Sequence, residues 1–359
     1  MKWSLSLGRI AGIRILMHWT FLILIAWIVF QEVSRGSDTT TVLITVGFVL
    51  SLFLCVILHE LGHSLTARRY GIPTKAITLL PIGGLASLQR MPEKPKQELL
   101  IAVAGPAVNV VIALVLWLIL PPLRETPNEA FFTRITPQNF LYLLMMVNVI
   151  LVAFNAIPAF PMDGGRVLRA LLAFKLGRVR ATQIAANLGQ FLAIFFAFIG
   201  FFYNPFLILI GAFVFFGAYS ENIMVQHLDF LRGHKVREGM MTTFLTLAPT
   251  DTIRHALDKL LMGSDQDFLV EQDGQVLGTL TRMQLIQAVK EEKMQAVVTE
   301  IMTTEFCRFE AKDKLAKAYT ELQRSKAPLC PVFDNGRLVG VINSENINEF
   351  IMIKSALTH

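Results

Sequence analysis

The sequence predicts an α-helical polytopic membrane protein, with six transmembrane helices and a membrane-dipping β-hairpin, followed by a C-terminal α/β module of two repeats. Three observations carry that expectation. Of the 359 residues, 53% are hydrophobic and only 17% charged, more apolar surface than one aqueous core hides. Apolar stretches of about 20 residues, the length that crosses a bilayer, recur near 14–32, 40–66, 98–120, 138–157, 182–202 and 205–225. From Gln226 onward the chain is mixed and charged, and it repeats itself at an offset of about sixty residues. The expected limits are a membrane domain at 1–225, a linker at 226–235, and repeats at 236–295 and 296–355.

The first stretch follows Lys2, Arg9 and Arg14, as a signal peptide would. No small-residue cleavage site precedes Gln31, so it reads as a retained helix. Between the second and third stretches, Ile77–Leu88 is too short to cross and too apolar for a solvated loop. Two β-rich runs about Pro81 and Gly83-Gly84 predict a hairpin that dips into the membrane, or else a packing plug. The last two stretches meet at Tyr203-Asn204-Pro205, a tight turn between antiparallel helices.

The formal charge of +6 is distributed by topology. Arg68, Arg69, Lys75, Arg90, Lys94 and Lys96 follow the second stretch, and Arg166, Arg169, Lys175, Arg178 and Arg180 follow the fourth. The loops after the first and third carry only Arg35, and Arg124 with Arg134. Basic loops stay cytoplasmic, so the chain is expected in the cytoplasmic (inner) membrane with both termini cytosolic. The cations form no aromatic-interleaved patch, which argues against a nucleic-acid partner. Cys55, Cys307 and Cys330 have no paired spacing, and reduced thiols are expected in the soluble part.

Within the second stretch lies Val56-Ile57-Leu58-His59-Glu60-Leu61-Gly62-His63. On a helix, residues four apart share a face, so both imidazoles can grip one ion. A Glu between them matches the zinc-protease arrangement, in which zinc acidifies a water and the carboxylate takes its proton. Three ionisable groups inside an apolar run are costly in hydrocarbon and mark a functional site. Two histidines leave zinc short of a third protein ligand. Asp163 fits best: it sits in Asn155-Ala156-Ile157-Pro158-Ala159-Phe160-Pro161-Met162-Asp163-Gly164-Gly165, where prolines and glycines break the fourth stretch. A metal transporter or a non-catalytic membrane scaffold is the alternative, and neither needs Glu60 between the two histidines.

The HExxH sequence and the later N-x-x-P-x-x-P-x-D-G segment together resemble the site-2 protease family of intramembrane zinc metalloproteases. The resemblance extends over residues 1 to about 225. The chain is also similar to the subgroup with six spans and C-terminal tandem CBS domains, which includes a protease that processes a sporulation sigma factor. The resemblance implies that His59, His63 and Asp163 ligate one Zn2+ and that Glu60 serves as base and acid. It implies that Asn155 orients substrate or stabilises the oxyanion. Gly105-Pro106-Ala107-Val108-Asn109 resembles a further family element, with Asn109 either near the reaction or in an interhelical hydrogen bond. The hairpin edge at Pro81, Gly83 and Gly84 is implied to pair with an unwound substrate by strand addition. The implied substrate is a transmembrane protein or peptide in the lipid bilayer, cleaved to release a cytosolic product in regulated intramembrane proteolysis.

The repeats begin at Glu238-Gly239-Met240-Met241-Thr242-Thr243 and Thr299-Glu300-Ile301-Met302-Thr303-Thr304 and end at Gly278-Thr279-Leu280-Thr281 and Gly340-Val341-Ile342-Asn343. They resemble two CBS motifs forming one pseudo-twofold module. Such pairs commonly bind adenine nucleotides, often through an acid after the final strand, where this chain has Gln284 and Asn346. Nucleotide sensing, ligand-free docking and a homodimer through the module all stay open.

Overall fold

A computed structural model describes residues 4–81, 83–88, 92, 94–122, 129–262, 267–325 and 327–357. The chain divides into two compact units, Met1–Ile223 and Met224–His359. Lys2, of the N-terminal cations, and Arg90 and Arg124, two of the cations used to orient the chain, lie outside the described residues.

The first unit opens with a hairpin where a helix was expected. Strands β1 (Ser4–Ile10) and β2 (Ile13–His18) pair antiparallel around Ala11 and Gly12, with φ of 50° and 82°. Two consecutive positive φ values are the backbone of a type I′ turn. In β2, Ile13 and Ile15 are buried while Arg14 is exposed, the period-two alternation of a half-covered strand. The expected span at 14–32 therefore becomes β2 followed by α1 (Thr20–Ser34), a helix of only 15 residues.

Helix α2 (Thr39–Arg69) runs 31 residues from Asp38, whose side chain accepts from Thr40 N–H at 3.2 Å and caps the first turn. Strands β3 (Thr74–Leu80) and β4 (Gly83–Leu88) then pair antiparallel, where the sequence predicted them; Ile82, between them, lies outside the described residues. They are not an isolated hairpin. β3 also runs parallel to β2, with Arg14 opposite Ala76 and Leu16 opposite Thr78, so the order is β1-β2-β3-β4 with β4 on an edge. Ile13, Ile15, Ile77 and Leu79 pack with Phe53, Ile57 and Leu61 of α2, seating the sheet beside the HExxH turn.

Helix α3 (Pro95–Ile119) carries Pro106 in its interior; α4 (Glu129–Thr133) and α5 (Phe140–Ala156) follow. Residues 157–162 are irregular, with a cis Phe160–Pro161 peptide, and lead into α6 (Asp163–Leu176). Helices α7 (Arg178–Tyr203) and α8 (Pro205–Leu231) meet at Asn204, whose side chain accepts from Phe206 N–H at 3.0 Å. Among the described residues, α2, α3, α7 and α8 are long and apolar enough to cross a membrane, while α1 and α5, at 15 and 17 residues, are shorter.

The segment after α5 differs from the basic loop expected there. It is helical, and Arg169 is only 2% exposed, bonded to Glu98 of α3 and Glu221 of α8 with its guanidinium 4.7 Å from the Phe160 ring centroid. Arg169 thus counts as an internal ion-pair partner rather than a loop cation. Burial of a charge in this way requires such paired partners.

The second unit contains two similar halves. The first comprises α9 (Val236–Gly239), β5 (Thr246–Leu247), α10 (Ile253–Met262), β6 (Asp267–Gln272), β7 (Gln275–Thr281) and α11 (Arg282–Lys290). A short 3-10 turn at Val298–Glu300 opens the second, followed by β8 (Phe309–Glu310), α12 (Leu315–Ser325), β9 (Cys330–Asp334), β10 (Arg337–Ile342) and α13 (Ser344–Leu357). Each half has a three-stranded sheet, β5-β6-β7 or β10-β9-β8. The leading segments cross over: Met241 exchanges backbone hydrogen bonds of 2.8 and 2.9 Å with Val341, and Thr303 exchanges two of 2.9 Å with Thr279. Gly278 and Gly340 permit the crossing, since a Cβ there would meet Thr303 O at 2.8 Å and Met241 O at 2.5 Å.

Cys307 and Cys330 pair as a disulfide, with Cα atoms 5.3 Å apart, contrary to the reduced thiols expected from their spacing; Cys55 is free and buried. Cys330 begins β9 and Cys307 lies two residues before β8, and those strands are parallel neighbours, a proximity that a separation of 23 residues does not announce.

Candidate metal centre

His59 and His63 lie one turn apart on α2, 8% and 4% exposed, and Asp163 is the first residue of α6, 6% exposed. Asp163 Oδ2 lies 3.2 Å from His59 Nε2 and 3.0 Å from His63 Nε2, and the two Nε2 atoms are 3.0 Å apart. Among the described residues these three are the only His, Cys, Asp and Glu group whose donor atoms converge closely enough to hold an ion. Tetrahedral zinc with bonds of about 2.0 Å sets its donors about 3.3 Å apart, so the triangle fits with an adjustment of tenths of an ångström. Two imidazoles and one carboxylate leave one position open, as a hydrolytic zinc site requires.

Local sequence explains the convergence. α3 passes so close to the histidines that a Cβ at Gly105 would sit 2.7 Å from His59 Nε2 and nearer still to His63 Nε2. Gly62 likewise faces Ala104 O, 2.6 Å from where its Cβ would lie. On the other side, Gly164 and Gly165 let α6 start against the backbone of residues 156–160, which points Asp163 back toward α2. The irregular segment in between buries Ala159, Phe160 and Met162, at 0%, 1% and 4% exposure, in keeping with the rule that non-helical backbone at membrane depth is packed within protein, while Pro158 is exposed.

Glu60 is half-buried on the same turn. β4 closes over it: a Cβ at Gly84 would lie 2.8 Å from Glu60 Cγ, so the strand edge and the carboxylate are immediate neighbours. Gly83, two residues after Pro81, has φ of 135°, open to substitution by contact but not by backbone conformation. Asn109 is fully buried, with Oδ1 2.6 Å from His59 Nδ1 and Nδ2 2.8 Å from Asn148 Oδ1. His63 Nδ1 donates to Ile101 O at 2.7 Å. Asn155 is not drawn into the cluster; its amide donates to Leu151 O of its own helix at 2.9 Å. Asn148 was missed by sequence reasoning, since a lone Asn in an apolar run has no spacing relation to the histidines.

In the second unit a cleft of about 1220 Å³ is lined by Thr279, Thr281, Gln284, Thr303 and Arg308 among others. Gln284 spends its amide on the module itself, donating to Ile301 O at 2.7 Å and Thr303 Oγ1 at 3.0 Å.

A helical membrane protein with an HExxH turn completed by a buried aspartate defines a zinc metalloprotease, an enzyme that hydrolyses peptide bonds. Comparison with known proteins agrees. The model of peptidase family M50 matches residues 47–199, and that of the CBS domain matches residues 236–291 and 298–353. A zinc metalloprotease of Methanocaldococcus jannaschii is 37% identical over 281 residues, 78% of each chain. Stage IV sporulation protein FB of Bacillus subtilis is 24% identical, over 68% of this chain and 84% of its own. The solved site-2 protease from M. jannaschii is 38% identical, covers 61% of this chain and 95% of its own, and superimposes with a TM-score of 0.44. The chain belongs to peptidase family M50, the site-2 proteases, and carries tandem CBS domains.

Proposed function

We propose that His59, His63 and Asp163 hold the single zinc ion, that Glu60 is the general base and acid, and that the scissile bond lies in or near a transmembrane segment of a membrane-tethered protein. The convergence of three donor atoms from α2 and α6 on one point carries this reading. When bound, zinc supplies a Lewis acid that polarises the scissile carbonyl and acidifies the attacking water. Glu60 removes a proton from that water and returns it to the departing amide nitrogen as the C–N bond breaks. β4, lying against Glu60 on the sheet edge, offers backbone groups to an extended substrate at Gly83 and Gly84, with Pro81 in the turn that leads into it. An extended substrate is required because a helix encloses its own carbonyls. The family resemblance gives Asn155 a substrate-orienting or oxyanion role, which it takes up only on leaving its bond to Leu151 O.

The topology belongs to the same proposal. α1 and α5 complete six spans, the first extended by β2 and the second by the buried segment before Asp163. The basic segments then place both termini and the product in the cytosol. The membrane domain ends near residue 225, with α8 running on to Leu231 into the linker at 226–235, and the repeats occupy 236–295 and 296–355. A cytosolic module meets a reducing thiol pool that keeps such pairs open, so although Cys307 and Cys330 pair in the structure, alkylation of intact cells followed by peptide mass spectrometry is expected to find both labelled; unlabelled cysteines would argue against a cytosolic module. The CBS pair regulates or docks; with Gln284 engaged internally, calorimetric titration of adenosine nucleotides into the full chain is expected to show no binding, and a clear isotherm would restore the sensing role.

The central test compares three proteins for zinc content and for cleavage of a model transmembrane substrate. Wild type binds one zinc and cleaves. Glu60→Gln keeps the zinc and loses activity by roughly 10²–10⁴-fold, the usual worth of a general acid–base group. Asp163→Ala loses the metal as well. Undiminished cleavage by Glu60→Gln sinks the mechanism.

A further inference from the structure

We propose that Asn148, in the middle of α5, is a positioning residue for His59 and acts through Asn109, fixing which nitrogen of the imidazole carries the proton. The proposal rests on the zinc-centre reading above. Its starting point is a group whose hydrogen-bond role has no alternative. The Leu144 carbonyl can only accept, so the Asn148 side-chain atom 2.8 Å from it is the amide nitrogen. Asn148 Oδ1 therefore faces Asn109, and accepts from Asn109 Nδ2 at 2.8 Å. That commits Asn109 to present Oδ1 to His59 Nδ1, at 2.6 Å. His59 Nδ1 must then carry the proton and donate it. Its Nε2 keeps the lone pair, facing His63 Nε2 and Asp163 Oδ2.

His63 reaches the same state in one step, because Nδ1 donates directly to Ile101 O. His59 needs a relay, and both members of the relay are 0% exposed, so no solvent competes to turn either amide over. Turned over, Asn109 would aim its NH2 group at Nδ1 and favour the proton on Nε2, where the metal must bind. Partners that hold the second ring nitrogen of a ligating histidine fix its tautomer and orientation. Asn109 is thereby an orienting residue, with its donor spent on Asn148 rather than kept for a substrate oxyanion.

The test uses purified full-length protein in detergent, with zinc affinity measured by chelator competition and the visible spectrum of the cobalt-substituted form. Asn148→Ala is expected to bind zinc roughly tenfold more weakly, the lower end for loss of an outer partner, and to shift the cobalt bands. Asn148→Ser, whose hydroxyl bonds back to Leu144 O within the helix, is expected to do the same with little disturbance of the fold. Asn109→Asp removes the need for orientation, since both its outer atoms are acceptors. Combined with Asn148→Ala it is expected to restore affinity and the wild-type cobalt spectrum. Wild-type affinity and spectrum in both Asn148 variants overturn the proposal, as does a double variant no tighter than Asn148→Ala. Wild-type protein without stoichiometric zinc overturns the metal centre itself, a distinguishable failure.

Discussion

At the scale of single residues, the site depends as much on missing side chains as on present ones. Gly105 is the sharpest case, because its absent Cβ is the space in which the two Nε2 atoms meet. Gly105→Ala is expected to abolish stoichiometric zinc binding, read by metal analysis of the purified protein, while the helices still form. The convergence of His59, His63 and Asp163 was legible because charge in an apolar run is costly, two histidines four apart define a face, and prolines and glycines break the chain before Asp163. Asn148 and the true partner of Asn109 were not. They are joined to His59 by hydrogen bonds spanning 39 and 50 positions, and no local periodicity records a contact of that kind.

At the scale of elements, α6 is held by more than its glycines. Arg169 ties it to Glu98 of α3 and Glu221 of α8, with side chains 3%, 7% and 20% exposed. Removing one member of a buried pair strands the other charge, at a cost of about 3–5 kcal/mol. Arg169→Ala should therefore lower the thermal midpoint sharply. Arg169→Met combined with Glu98→Gln and Glu221→Gln should recover much of the loss, because no charge is then left unpaired. The long helices were readable from hydropathy alone, and the β3–β4 pair from its short apolar runs about Pro81. The N-terminal hairpin was not: its turn is Ala-Gly rather than the strong Asn-Gly signal, and Ile13 to His18 ran on into an apolar stretch that looked like the start of a span.

At the scale of the molecule, the sixty-residue repeat correctly announced a paired module, but the crossing of its leading segments was hidden. The signal lay in the matched positions of Gly278 and Gly340, each facing the other half's Met-Thr segment. Gly340→Ala is expected to speed hydrogen exchange at the Met241 amide, and Gly278→Ala at the Thr303 amide, since each donates across to the opposite half. Exchange that rises only within the substituted half would show that the halves fold separately. The crossing also sets a timetable for synthesis. Met241 leaves the ribosome one hundred positions ahead of Val341, its hydrogen-bond partner, and at about 5–20 residues per second it waits on the order of 5–20 s. For that interval the newborn chain carries a half-module with an uncovered strand, a target for chaperones that the finished protein no longer offers.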